Sequence, residues 1–242
     1  MKIYGRNAVS EAIRSGQTID RLVVQEGLRD ANANSIINEA KNAGIKIFFR
    51  DKTALDRECP PRARHQGFLA EVTDFDYSEL DDIFAYAEER GEPPFIVILD
   101  GVEDPHNLGS VLRVAECAGV HGVIIPRHRS VSVNDTVVKV SSGASAYVRV
   151  AKVTNINDAI AELKTRGVWV YAADMDGDDL YSTDLKGAIA FVIGGEGKGV
   201  KRLTRELCDG VVSIPMFGHV NSLNASVAAA VVIYEKVRQS VK

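Results

Sequence analysis

The sequence predicts an α/β protein of two parts, a small α/β module followed by a larger domain built on a parallel sheet. Three observations carry this. Short apolar runs alternate with helical patterns along the whole 242 residues. In the second half those runs are unbroken, as strands buried on both faces require. Between the halves, an acidic stretch ends in the Gly/Pro-rich GEPP, Gly91–Pro94.

In the first part, residues 1–72, the pattern gives a helix over Asn7–Arg14, a strand over Arg21–Gln25 and a helix over Ala31–Ala43 with Ile36, Ile37 and Ala40 inward. Strand Ile45–Phe49, a short helix near Thr53–Arg57 and strand Gly67–Val72 follow. Before the last strand lies PPRARHQG, a loop carrying Arg62, Arg64 and His65. It is either a solvated surface loop or a set of cations for a phosphate backbone. Residues 73–90, TDFDYSELDDIFAYAEER, read as an acidic linker holding a short helix with Leu80, Ile83, Phe84 and Ala87 on one face. Residues 91–242 form the second domain. Its strands are Phe95–Leu99, Gly122–Ile125, Val168–Ala172, Ala190–Ile193 and Val211–Ile214. Helices are expected at Gly109–Ala118, Ile156–Thr165, Arg202–Cys208 and from about Asn224 to Arg238.

Composition narrows the function classes. The chain is 45% hydrophobic and 26% charged, ordinary for a soluble globular protein. No apolar run approaches the roughly 18–20 residues that span a bilayer, and MKIYGRNAVSEAIRSG lacks a signal-peptide core. Cys59, Cys117 and Cys208 show no CxxC pair, which indicates neither a disulfide framework nor a zinc site and fits a reduced cytoplasm. The net charge of −4 does not exclude a nucleic-acid partner. Residues 1–72 carry 12 Lys/Arg against 9 Asp/Glu, residues 73–90 one against seven, and residues 91–242 carry 16 against 17. The acidity is concentrated in one short segment, so basic faces remain available.

In open parallel sheets, ligands bind beyond the carboxyl ends of strands, so three loops hold the candidate chemistry. After the first strand comes LDGVEDPHNLGSVLRVAECAGV, with His106, Asn107 and Arg113. Asn107 either caps the helix or faces a ligand. Arg113 is either an exposed helix residue or a partly buried functional one, and His106 is either solvated or a general base. After the fourth strand comes FVIGGEGKGVKRLTREL, where Glu196 stands among glycines that let backbone approach a ligand. It is no nucleotide loop. Walker A fails at Val192 and at Gly199 after Lys198, and GxGxxG fails at Val200. That disfavours a dehydrogenase or an NTPase. The third loop, IPMFGHVNSLNASVAAA, places Asn221, Ser222, Asn224 and Ser226 at the entrance of an Ala/Val-rich helix. Asn221 or Ser222 suffices to cap it, which leaves the other polar groups for a ligand, Asn107 or Glu196.

DPHNLGSVLRVAECAGV, FVIGGEGKG and IPMFGHVNSLNASVAAA stand in the order and spacing of the three motifs of the SpoU (TrmH-type) RNA 2′-O-ribose methyltransferases of the SPOUT superfamily, and the chain resembles that family. YGRNAVSEAI and HQGF resemble its small, ribosomal-protein-like substrate-binding domain. Among subgroups, length and the first domain look most like the bacterial 23S rRNA guanosine 2′-O-methyltransferases. In SSGASAYVRV the chain departs from the pattern, with Ala146 at a glutamate position and Arg149 at a proline position. The resemblance implies a deep trefoil knot in the second domain, a homodimer, S-adenosyl-L-methionine as cofactor, no metal, and RNA as substrate, with 23S rRNA favoured over tRNA. It puts cofactor contacts on Gly194, Ile214 and Leu223, with Leu223 packed on the adenosine. Asn107, Arg113, Glu196, Ser222 and Asn224 fall on catalytic or substrate-facing positions, and Arg6, Arg62, Arg64 and His65 are the candidate RNA contacts. In that family Arg113 is the proposed base. A guanidinium, a strong and planar cation, is better suited to orienting phosphate than to taking a proton.

Overall fold

The computed structural model describes residues 2–61, 63–73, 75–197 and 199–241, and the chain divides into two compact units, Met1–Asp76 and Tyr77–Lys242. In the first, β1 (Lys2–Tyr4), α1 (Arg6–Arg14), β2 (Thr18–Gln25), α2 (Ala31–Asn42), β3 (Ile47–Arg50), α3 (Lys52–Glu58) and β4 (Phe68–Thr73) follow in order. The sheet runs β1-β4-β2-β3, with β4 antiparallel to both neighbours and β2 parallel to β3. Strand alternation sends Leu22, Val24, Phe68 and Ala70 to the face covered by α1 and α2, and Val23 and Leu69 to the face covered by α3. Asp30 and Asp51 cap α2 and α3 by accepting the amides of Ala33 (3.0 Å) and Ala54 (2.7 Å).

The second unit contains α4 (Leu80–Glu89), β5 (Phe95–Asp100), α5 (Pro105–Cys117), β6 (Gly122–Pro126), α6 (Asp135–Val140), β7 (Arg149–Val153), α7 (Ile156–Thr165), β8 (Trp169–Asp179), β9 (Ile189–Gly194), α8 (Arg202–Leu207), β10 (Gly210–Ser213) and α9 (Ala225–Ser240). Its six strands run in the order β10-β8-β9-β5-β6-β7, all parallel. All carboxyl ends therefore lie along one edge. Alternation again sorts the core. Ile96, Ile98, Ile124 and Val192 pack under α4 and α7, while α5 and α9 cover the opposite face. β7 and α6 are additions to the elements expected. RVAKV carries Arg149 and Lys152 and reads as surface, yet Val150 and Ala151 are buried because β7 closes the sheet beside β6.

The acidic stretch expected as a linker over residues 73–90 is divided. The boundary lies at Asp76/Tyr77, and residues 80–89 are a packed helix of the second unit. Its apolar face is why: Ile83 is fully buried against Gly122, and Ala87 is buried too. An added Cβ at Gly122 would strike the Ile83 side chain. Gly122→Ala is accordingly expected to cost about 1–3 kcal/mol by overpacking. Urea denaturation of that variant and of the Gly122→Ala/Ile83→Val pair checks it, since the shorter side chain should restore part of the loss.

Candidate active site at the strand ends

The carboxyl ends of β9 and β10 and the middle of β8 enclose a cavity of about 490 Å³. Ala173, Ile193, Val212, Ile214, Ala225 and Ala228 give it apolar walls. Asp174, Glu196, Asn221, Ser222 and Asn224 bring polar groups to it, and Gly194 and Leu223 line it as well. Two of the expected three loops contribute, those after β9 and β10. The third contributor is the middle of β8, Ala173–Met175, level with the end of β9, rather than the loop after β5.

Backbone packing holds the β9 loop in place. Gly194 lies so close to Gly199 and Val200, and Gly195 so close to Gly101, that neither position has space for a Cβ. Gly197 (φ 77°) and Gly199 (φ 62°) adopt left-handed conformations that suit glycine. Asp100, whose side chain is 1% exposed, then secures the far end of the loop. Its carboxylate accepts the Lys201 amide at 3.1 Å and pairs with the Lys201 ammonium. Asp100 was not singled out from the sequence, although a carboxylate closing the apolar run FIVIL was a usable signal. Asp174 is a second omission. It lines the cavity and lies 3.7 Å from the Arg205 guanidinium.

A hydrogen-bonded chain joins all three motifs. Asn107 is buried on α5, and its amide donates to the Glu196 carboxylate while its Oδ1 accepts from Asn224 Nδ2 at 3.0 Å. Asn224 also caps α9, accepting the Ser226 amide at 2.9 Å and its hydroxyl at 2.7 Å. The cap is thus Asn224 and neither Asn221 nor Ser222, which leaves Ser222 free to line the cavity. Asn107 does not cap α5, because Asp104 does so by accepting the His106 amide. With both ends of its amide satisfied, buried Asn107 avoids the roughly 1–3 kcal/mol penalty of an unpaired polar group.

Arg113 is exposed rather than partly buried, and it does not line the cavity. Six residues of helix place it about 9 Å along the axis and about 120° around it from Asn107. Its guanidinium donates to Ser142 Oγ at 3.3 Å, in the turn after α6. At the start of β7, Arg149 stacks on the Tyr86 ring of α4, 3.3 Å from its centroid, which gives the arginine a packing role where the motif has proline. Ala146 is exposed, and nothing in the structure explains its place there.

The candidate RNA contacts of the first unit are mostly committed to its own fold. Arg6 forms a two-pronged pair with the Asp30 carboxylate at 2.7 and 2.8 Å and donates to the Gln66 carbonyl at 3.3 Å. His65 is buried. Its Nδ1 accepts the Gly67 amide at 2.9 Å, which leaves the proton on Nε2 to be donated to Asp56 at 2.9 Å. Arg64 is exposed, and Arg62 lies outside the described residues. Among the described residues no His, Cys, Asp and Glu cluster of metal-binding size occurs, and no helix is long and apolar enough to cross a membrane.

Comparison with known proteins places these features. The SpoU rRNA Methylase family pattern matches residues 94–234, and the pattern for RNA 2′-O ribose methyltransferase substrate binding matches residues 2–78. A protein of Bacillus subtilis (strain 168) named as a TrmH family tRNA/rRNA methyltransferase is 42% identical over 238 residues, 98% of this chain and 95% of its own. One so named from Staphylococcus haemolyticus (strain JCSC1435) is 45% identical over 240 residues, with coverage of 98% and 95%. The crystal structure of the SpoU methyltransferase AviRb from Streptomyces viridochromogenes, in complex with the cofactor AdoMet, superposes with a TM-score of 0.63 at 26% identity. That match covers 99% of this chain and 90% of AviRb. The A. aeolicus TrmH/SpoU tRNA modifying enzyme superposes with a TM-score of 0.56 at 28% identity, covering 61% of this chain and 76% of that one.

If Asp100 secures the β9 loop, Asp100→Ala should speed hydrogen exchange at the amides of Gly195, Gly199 and Lys201 by on the order of tenfold, about 1.4 kcal/mol of local protection. Exchange at Val97 and Ile98 should be unchanged. Equal protection of the loop in both proteins would show that the glycine packing suffices without the carboxylate.

Proposed function

The chain belongs to the SpoU rRNA methylase family, and we propose that it transfers a methyl group from S-adenosyl-L-methionine to a ribose 2′-hydroxyl of RNA, with a guanosine of 23S rRNA as the target. The observation that carries this reading is the cavity at the strand ends with Glu196, Asn107 and Asn224 hydrogen-bonded at its rim.

The donor set suits the cofactor. A cavity of about 490 Å³ is of small-molecule size. Its apolar walls suit a nucleobase, and the carboxylates of Asp174 and Glu196 suit a cationic ligand. Gly194, Ile214 and Leu223 would hold the cofactor through the wall they form. When bound, it supplies an activated methyl group on a sulfonium. The residues of the chain then have to position the hydroxyl and manage its proton, and proximity alone offers up to about 7–11 kcal/mol in favourable cases. Asn107 holds the Glu196 carboxylate against the cavity, and Ser222 and Asn224 bring polar groups to the same rim. Arg113 offers five N–H donors in a planar fork. One donor is used on Ser142, so its role is to grip the phosphate next to the target ribose and to favour the alkoxide, while the proton leaves through phosphate or water.

The same reading includes a deep trefoil knot and a homodimer. The close approach of Gly195 to Gly101 and of Gly194 to Gly199 is consistent with a threaded chain. Phe217 (99% exposed), Val220, Val227 and Tyr234 offer an apolar surface on and before α9 for a second copy. A cytoplasmic setting fits the three free cysteines. The choice of 23S rRNA rests on the first domain. A tRNA target is the second reading, favoured by relatives named for both substrates and by the tRNA modifying neighbour.

Transfer of labelled methyl to unmodified 23S rRNA and tRNA transcripts, followed by nucleoside digestion, tests this. Label in 2′-O-methylguanosine from 23S rRNA alone is the expected result. Label from tRNA, or in another nucleoside, would move the target, and cofactor binding without transfer to either RNA would favour a catalytically silent RNA-binding or ribosome-assembly protein. Arg113→Ala should lose on the order of 10²–10³ in turnover, the scale of a charge-stabilising donor, with cofactor affinity retained. Arg113→Lys should recover only part, because lysine lacks the planar fork.

A further inference from the structure

Between β6 and α6 the chain runs Arg127-His128-Arg129-Ser130-Val131-Ser132-Val133-Asn134. We propose that this turn is a phosphate-binding site that holds the RNA strand beside the target nucleotide, with Arg127 and Arg129 as its contacts.

Its place in the fold comes first. Asp100 of β5 pairs with Gly194 of β9, and Ile98 pairs with Ile124 of β6. Continuing that register sets Pro126 level with Asp100 and Gly194, in one row across the carboxyl ends. Adjacent strands are about 4.8 Å apart, so Pro126 lies about 10 Å from Gly194 in the cavity wall. The turn therefore begins within one or two nucleotides' reach of the proposed reaction site, on the same edge of the sheet. It is also tied to the α5 motif. α6, which follows it, packs on α5 so closely that Gly109 has no space for a Cβ beside Val140, and Ser142 beyond α6 accepts from Arg113.

The turn is built, not loose. The Arg127 amide donates to the Val153 carbonyl at 2.7 Å, and the Val131 amide and Ser130 hydroxyl donate to the Val102 carbonyl at 3.0 and 3.1 Å. The Val133 amide donates to the Tyr77 hydroxyl at 3.0 Å. Lys152 on β7 donates to Ser132 Oγ at 2.8 Å and sits 4.8 Å from the Tyr77 ring centroid. Arg129 is held at φ 55°, a conformation uncommon for residues other than glycine. What these contacts present is charge. Arg127, His128 and Arg129 are all exposed, and among the described residues neither arginine side chain makes an ion pair. No acid occurs before Asp135. On neighbouring β7, burial pushes Lys152 down to about 8, with a smaller contribution from the charge of Arg127. Two exposed guanidiniums on a backbone held in place match the charge and the fork geometry of RNA phosphates.

This inference rests on RNA being the substrate, so binding and transfer are measured separately. The probes are the 23S rRNA and tRNA transcripts, and the variants are Arg127→Ala/Arg129→Gly and Arg127→Lys/Arg129→Lys. Glycine at 129 removes the charge and keeps the backbone. The first variant should bind whichever transcript the wild type binds about tenfold or more weakly, with the slope of log affinity against log salt reduced by about one to two. In transfer, the loss should fall on KM for RNA, and the lysine pair should restore most of the binding. S-adenosyl-L-methionine affinity, read by calorimetry, should be unchanged and verifies the fold. Unchanged RNA affinity and salt slope, or a loss confined to kcat, would overturn the proposal. Weaker binding in the variant, with no transfer even by the wild type, would uphold this site and overturn the catalytic reading instead.

Discussion

The second unit depends on one contact that has no side chains in it. Gly194 and Gly195 bring the end of β9 flat against Gly199–Val200 and Gly101, with no space for a Cβ at either position. Everything chemical in the site follows from that approach. It brings the Asp100 carboxylate within reach of Lys201, and it delivers Glu196 to Asn107. A methyl group at either glycine would have to separate two strand-end loops whose backbones are already in contact, and a close-packed interior absorbs such a shift poorly. The glycines are there for proximity, not for flexibility.

The polar residues of the site serve fold and chemistry with the same atoms. Asn224 uses its oxygen to cap α9 and its amide nitrogen to hold Asn107. Asn107 in turn holds Glu196. A linked set of this kind is rigid because each member fixes the rotamer of the next, and in low dielectric each bond strengthens its neighbour. A carboxylate that must face a ligand is thereby oriented before any ligand arrives, the condition for electrostatic preorganisation. The same economy explains why Arg6 and His65 are poor candidates for RNA contact. A guanidinium paired through both prongs with Asp30 would have to break a charge-assisted pair before gripping a phosphate.

Fold class was legible because buried parallel strands are written as apolar runs. Phe95–Leu99, Gly122–Ile125 and Ala190–Ile193 fall within a residue or two of β5, β6 and β9. What was not legible involved either short elements or partners distant in sequence. β1 spans three residues and α6 six, too short for a periodic signal. β7 hid behind two cations whose charged heads sit over the rings of Tyr86 and Tyr77. Among site residues, the motif positions were visible, but their bonding was not. Asn107 and Asn224 are 117 residues apart, and nothing local in either motif says which of the polar residues before α9 is its cap. His65 looked like a surface cation because its loop is rich in Arg and Pro. Burial by Asp56 and the Gly67 amide is a tertiary fact.

A net charge of −4 sits oddly with an RNA substrate only if charge is averaged over the molecule. At physiological ionic strength the Debye length is about 8 Å, so exposed charges farther than that from a phosphate are largely screened. Within the second unit α4 carries Asp81, Asp82, Glu88 and Glu89 on the face of the sheet opposite α5 and α9, and Asp81 is paired with Arg166 at 2.6 Å. Arg127 and Arg129 are exposed in the turn between β6 and α6, at the carboxyl edge of the sheet, and Arg113 is exposed farther along α5. Charge along this edge is therefore local: the turn between β6 and α6 is basic, whereas Asp174, Asp176, Asp178 and Asp179 make β8 acidic. An acidic protein can thus present a basic turn two strands away from a cavity lined by carboxylates, while α4 serves packing through Ile83 and Ala87.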